Sequence, residues 1–169
     1  ELGLDQPLVV QYLVWMGDLI KGDLGASLRS GVAVVDLVAA SLPATVELAF
    51  LSMIIGLGIS IPLGVAAARR QHKLADLTIT SGALIGISVP SFVLGLAGIY
   101  LFSIYLRILP TGGYTPFWDD PIDNLRRMVL PSLTLGLVTA GMLVRLMRRS
   151  LIDELREDYV RTARAKGAN

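Results

Sequence analysis

Two stretches of this chain run without a formal charge for longer than a water-soluble helix needs: Leu48 to Ala68, and Leu77 to Leu106. The first holds 21 residues and the second 30. As an α-helix the first rises about 32 Å, which matches a hydrocarbon core about 30 Å thick. Backbone in lipid must satisfy its own polar groups, so runs of this kind become helices. A third run, Met128 to Met147, is charge-free as far as Val144, and Arg145 near its end can snorkel. The reading is an all-α membrane protein with three transmembrane helices, at about 45–68, 77–106 and 128–147. Composition agrees: 53% hydrophobic, 17% charged, mean hydropathy +0.63. A net charge of +1 gives no electrostatic argument for nucleic acid. With no cysteine and a single histidine, His72, neither a thiolate centre nor a His-based metal site is expected.

Within the first run Gly56, Ser60 and Gly64 fall four apart on one face, a spacing that lets a second helix approach closely in lipid. Pro43 suits a first helical turn, and Pro62 is a candidate kink. The second run exceeds one perpendicular crossing, so tilt, a kink or an interfacial end is expected. Ser88-Val89-Pro90-Ser91-Phe92 sits near its middle. Pro90 frees a carbonyl that Ser88, Ser91 or a neighbouring helix must satisfy, and Ser88, Pro90, Ser91 and Phe92 are candidates to line a pathway. Residues 107–127 combine turn formers, aromatics and acids, and read as a loop at the membrane–water interface.

Residues 1–44 are not a span. Leu8, Val9, Tyr12, Leu13, Met16, Leu19 and Ile20 recur at helical spacing, with Asp5 as N-cap and Gly22 as stop. The expectation is an amphipathic helix whose stripe packs on the rest of the protein. A second, weakly helical stretch is expected at Val32–Ala40.

Basic residues orient the chain. Ten lie in the 69–76 loop and the tail; five lie on the other side. The residue 169 end is therefore expected in the cytoplasm and the residue 1 end outside, with 1–44 forming an external helix and turn region. An exported start calls for a span before Glu1.

In the tail Leu151, Ile152, Leu155, Tyr159, Val160 and Ala163 are expected on one helical face, and Glu157 and Arg161 form a pair four apart on the charged face. A short apolar stripe there needs a partner, or it folds back on its own protein. The residues also resemble a family. Leu130-Pro131-Ser132-Leu133-Thr134-Leu135, then Arg145, Arg148 and Ser150, then Asp158 through Gly167, resemble the permeases of bacterial dipeptide, oligopeptide and nickel ABC importers. Leu109 to Tyr114, Ser88 to Phe92, Gly22 to Gly25 and Leu42 to Thr45 resemble them too, in the same order.

The resemblance implies a type I (binding-protein-dependent) permease domain over 45–169, in the bacterial cytoplasmic (inner) membrane, with one further span before Glu1 and two after Asn169. It implies that 148–169 is a coupling segment, in which Tyr159, Val160, Arg161, Thr162, Ala163, Arg164, Lys166 and Gly167 dock an ATPase. Arg161 and Thr162 depart from the general Glu-Ala-Ala pattern, though Tyr-Val-Arg-Thr-Ala is similar to the peptide-permease version. The implied partners are a second homologous permease, two ABC ATPase subunits, an external substrate-binding protein and membrane lipid. The sequence has no Gly-x-x-x-x-Gly-Lys-Ser/Thr phosphate loop, so this subunit is expected to be non-catalytic, with ATP and Mg held by the partners and no cofactor of its own. The alternative is an ion-coupled carrier or channel that works without an ATPase, for which Pro90 is the candidate break.

Overall fold

A computed structural model describes residues 6–167. The elements in order are α1 (Leu8–Ile20), α2 (Val34–Arg69), α3 (Leu74–Ser88), α4 (Ser91–Gly98) continuing as a π-helical segment (Ile99–Tyr105), α5 (Pro121–Glu154) and α6 (Asp158–Ala165). The chain divides into two compact units, Glu1–Val46 and Glu47–Asn169.

In the first unit α1 ends where Gly22, at φ +86, takes the left-handed turn that only glycine enters without strain. Asp5 lies outside the described residues, and the N-cap position is Pro7. The apolar stripe of α1 is present. The helix buries none of its residues, and Leu8 and Ile20 are each 81% exposed. After the turn Asp23 Oδ1 accepts from the Gly25 amide at 2.8 Å, and an isolated bridge joins Ala26 to Ala33.

No separate helix stands at 32–40. α2 begins at Val34 and runs unbroken through Pro43 and Pro62 to Arg69. A charged or β-branched residue in the first turns does not stop a helix once an apolar run follows; the expected boundary at Ser41–Pro43 has no stop signal.

The second unit is organised inside-out relative to a soluble bundle. The residues α2 buries are Ser52, Gly56, Ser60, Gly64, Ala67 and Ala68, while Phe50, Ile54 and Ile61 are about half exposed. Small residues face protein and large apolar ones face outward, as expected where lipid is the solvent. The stripe packs on α5: a Cβ added at Gly56 would lie 3.4 Å from the Gly136 carbonyl, and one at Gly64 would lie 2.7 Å from Met147 Cβ.

α2 and α5 are each long and apolar enough to cross a membrane. The expected second span is not one helix. α3 and the segment Ser91–Tyr105 pass that test only together, and they meet at a 92° bend. Fifteen residues rise only about 22 Å, so neither arm alone crosses a 30 Å core. The cause is local. Proline disfavours the helical region for the residue before it. Val89 accordingly sits at ψ 122, and Pro90 at ψ 137 restarts the helix by accepting from Val93 N and Leu94 N. Ser88 Oγ donates to Leu84 O at 2.8 Å, so it does not serve the Gly86 carbonyl that Pro90 leaves without its helical donor.

α5 extends well beyond the expected 128–147 at both ends. Asp120 caps it, accepting at 3.0 Å from both Ile122 N and Asp123 N, and Pro121 occupies the first turn. Arg126 and Arg127 therefore lie on the helix, not in a loop.

Candidate functional site

Two parts of the second unit gather polar or recessed geometry, one at each end of α5. The first is a cavity of about 490 Å³ between α4, the 110–113 turn and α5. Ser91, Phe92, Gly95 and Ile99 line one side, and Arg127, Leu130, Pro131, Thr134 and Leu135 the other. Of the four residues expected to line a pathway, Ser91 and Phe92 reach this cavity; Ser88 and Pro90 form the bend beside it. The wall is mostly apolar, with Arg127 as its one charged member.

Arg127 is held by two neighbours, one of which is held in turn by a third residue. Its Nε donates to Asp123 Oδ2 at 2.7 Å, and its Nη1 donates to the Gly112 carbonyl at 2.7 Å. Asp123 Oδ2 also accepts from Thr115 Oγ1 at 2.6 Å. The bond from Arg127, then that from Thr115, hold the Asp123 carboxyl below its ordinary pKa. Asn124, fully buried, donates to the Thr115 carbonyl at 2.8 Å, and Tyr114 donates to Glu47 Oε2 at 3.1 Å. The turn is thereby fastened to the starts of α5 and of the membrane part of α2.

Gly113 makes that turn possible, at φ +94 and with the Arg127 guanidinium 2.6 Å from where a Cβ would stand. Gly113→Ala is expected to release Arg127 from Gly112 and to lower stability by about 1–2 kcal/mol, the cost of a left-handed non-glycine residue. Thermal unfolding of the protein in detergent measures it.

The second part lies at the other end of α5. Asp76, 6% exposed, receives a two-pronged contact from Arg148: Nε to Oδ1 at 2.5 Å and Nη2 to Oδ2 at 2.6 Å. The His72 amide donates to Oδ2 at 3.0 Å and Thr80 Oγ1 to Oδ1 at 3.3 Å. The Arg148 bond is the chief cause of a depressed pKa, down to about 2 from 3.8, and burial opposes it. His72, at φ 63, turns the chain between α2 and α3. Neither Asp76 nor this pairing was expected; the available signal was a lone acid closing a basic loop, directly before an apolar run.

Beyond Arg148, Ile152 is the last buried residue among those described, and α5 ends at Glu154. The single face expected through 151–163 is interrupted at 155–157, and α6 starts afresh with an extended Glu157 before it. Arg161 pairs with Asp158 at 3.2 Å, three residues away, because Glu157 lies outside the helix. On α6 Tyr159 is 60% exposed, Val160 is half-buried, and Arg161, Thr162, Ala163 and Arg164 are exposed, as is Lys166 just past its end. Tyr159 OH donates to Glu154 Oε1 across the break. Gly167 ends the segment at φ +94.

A bundle that buries small residues and exposes large apolar ones around two helices long enough to cross a membrane defines a helical membrane protein. Residues 60–169 match the family described as Binding-protein-dependent transport system inner membrane component, and the chain belongs to that family. It is 41% identical over 169 residues to a protein of Brucella suis biovar 1 (strain 1330) named as a peptide transport system permease, covering 100% of this chain and 54% of that protein. It is 40% identical over 188 residues to the Probable D,D-dipeptide transport system permease protein DdpB of Escherichia coli (strain K12), covering 99% of this chain and 55% of that protein. A third relative, the Probable peptide ABC transporter permease protein y4tP of Sinorhizobium fredii (strain NBRC 101917 / NGR234), is 39% identical over 100% of this chain and 54% of its own length. The chain thus spans about half the length of the curated relatives it matches.

Proposed function

We propose that this chain belongs to a permease subunit of an ATP-driven peptide importer, and that α6 is where a separate ATPase docks. Family membership supports the permease role, and the names of the relatives support peptides as cargo. The observation that carries the docking role is α6 itself: eight residues with an exposed aromatic, set off from α5 by a break. A rigid helix of this size, joined at one end to a span, passes motion from a docked partner to the membrane. Tyr159, Val160 and Ala163 supply its apolar contact. Arg161, Thr162, Arg164 and Lys166 border it, and Gly167 turns the chain out of the helix.

In this reading α6 and the 69–76 loop face the cytoplasm, and residues 1–44 and the 107–120 loop face a substrate-binding protein outside, with the whole in the inner membrane. A second permease completes the pathway, two ATPase subunits hold ATP and Mg, and this chain needs no cofactor. The cavity beside Ser91 and Phe92 then opens toward the pathway, and the bend at Ser88–Pro90 sets its wall. Alternating access is rigid-body rocking of the permease pair.

The test uses the full-length permease with its ATPase and binding protein in liposomes. Tyr159→Ala and Gly167→Val are each expected to lower peptide uptake at least tenfold while the permease still inserts. ATPase subunits that co-purify in undiminished amount with the double variant, with uptake unchanged, would remove the docking role from α6.

A further inference from the structure

We infer that Asp76 and Arg148 are positioning residues for energy coupling, forming the strut through which movement of α6 reaches α3 and the cavity beyond it. The inference rests on the docking role proposed above for α6.

The starting point is register. α3 and α5 touch closely where a Cβ at Gly141 would meet the Ala83 carbonyl at 3.0 Å, and again where Arg148 grips Asp76. Residue 76 precedes 83 by seven, and 148 follows 141 by seven, so the two contacts sit two antiparallel turns apart. One contact is a close packing of small residues, which leaves the helices free to pivot. The second, two turns away, removes the pivot. Together they make α3 and α5 one rigid pair.

The kind of contact matters as much as its place. A buried ion pair loses much of its attraction to desolvation, and apolar residues of similar volume hold helices together as well or better. What a planar guanidinium gripping both carboxylate oxygens adds is a fixed orientation. Asp76 is oriented in turn by the His72 amide and Thr80 Oγ1, so the α2–α3 turn is included in the unit.

Position along the chain completes the argument. Arg148 follows directly on Met147, the residue that packs on Gly64 of α2, and lies one and a half turns before α5 ends. Motion delivered to α6 enters α5 at that end. Through Asp76 it passes to α3, which leads to the 92° bend at Pro90 and to Ser91 and Phe92 on the cavity wall. Without the strut, α5 can turn while α3 stays behind.

The experiment is done on the full-length permease, with its ATPase and binding protein, in liposomes. It reads peptide uptake and ATP hydrolysis together. Asp76→Cys and Arg148→Cys are combined in one permease whose other cysteines, if any, are replaced. With both thiols free, uptake per ATP hydrolysed is expected to fall at least tenfold while the ATPase subunits remain bound. Closing the pair with a short bifunctional thiol cross-linker is expected to restore most of the ratio, and reductive cleavage to lose it again. A ratio that is normal with the thiols free overturns the strut. So does an uncoupled complex that the cross-link fails to restore, and so does loss of the ATPase subunits from the open form that the cross-link repairs, which would make the pair an assembly staple. Failure of the unmodified permease to retain an ATPase overturns the docking reading instead.

Discussion

Gly136→Leu and Gly141→Leu should each prevent α5 from seating against its neighbours, by contacts that no side-chain rotation relieves. At Gly136 an added Cβ falls 2.9 Å from Ile55 Cβ and 3.1 Å from the Ser52 carbonyl, so the collision is with the body of α2. At Gly141 it falls 3.0 Å from the Ala83 carbonyl and 2.9 Å from Ile87 Cγ1, so the collision is with α3. The five-residue offset places the two glycines on different sides of α5, and that helix is the one both others need. Overpacking a tight contact costs about 1–3 kcal/mol even where surroundings can shift. Two backbones held at this distance shift little, so the leucine variants are expected at or above the upper end. Alanine at the same sites should cost less, in the order Gly141 before Gly136 only if the Ala83 backbone is the stiffer neighbour. Gly58, where an added Cβ meets nothing within 4 Å, supplies the contrast: Gly58→Ala should be neutral or raise stability by up to about 1 kcal/mol through helix propensity. Thermal unfolding of the full-length permease in detergent, followed by the loss of monodisperse protein, ranks the set.

The stripe that makes α2 and α5 meet was legible because Gly56, Ser60 and Gly64 repeat at a helical period against an otherwise bulky helix. Spans were legible for the same reason: absence of charge over a long run is a strong signal wherever the backbone must satisfy itself. The ends of the helices were read less well. Arg126 and Arg127 look like loop residues, yet Asp120-Pro121 is a capping signal that places them one to two turns inside α5. The 92° bend was half legible, since Pro90 announces a break but not its angle, which depends on what α4 packs against. The tail's apolar residues suggested one continuous face, and no proline or glycine at 155–157 marks the interruption. Ser91 and Phe92 were legible as wall residues of the cavity, but its opposite wall and the Asp76–Arg148 contact were not, because they join residues far apart in sequence. Helical spacing pairs residues three or four apart; these are separated by 72.

Acidification should bring the parent protein down to the stability of Asp76→Asn only at very low pH, because the folded state holds Asp76 ionised far below the usual range. Its pKa is lowered to about 2 from 3.8, chiefly by the Arg148 hydrogen bond. A carboxylate whose folded-state pKa is depressed stabilises the fold fully above its unfolded pKa, and that contribution is lost as pH falls through the folded value. The difference corresponds to roughly 2–3 kcal/mol at neutral pH. Arg148 stays protonated throughout, so it contributes no opposing titration in this window. Asp76→Asn is therefore expected to be less stable than the parent by about 2–3 kcal/mol from pH 7 down to about 5. The gap narrows below about 4 and closes toward 2, where the parent too has lost its carboxylate. Asp123 is also held below its ordinary pKa by Arg127 and Thr115, but it is present in both proteins and cancels in the comparison. Unfolding temperatures of the two proteins across this range read the gap directly. A gap that stays constant to pH 3 or below would mean that the asparagine loses packing and not charge. A gap absent at pH 7 would mean that the pair contributes orientation alone, which leaves its role as a strut intact while removing its role in stability.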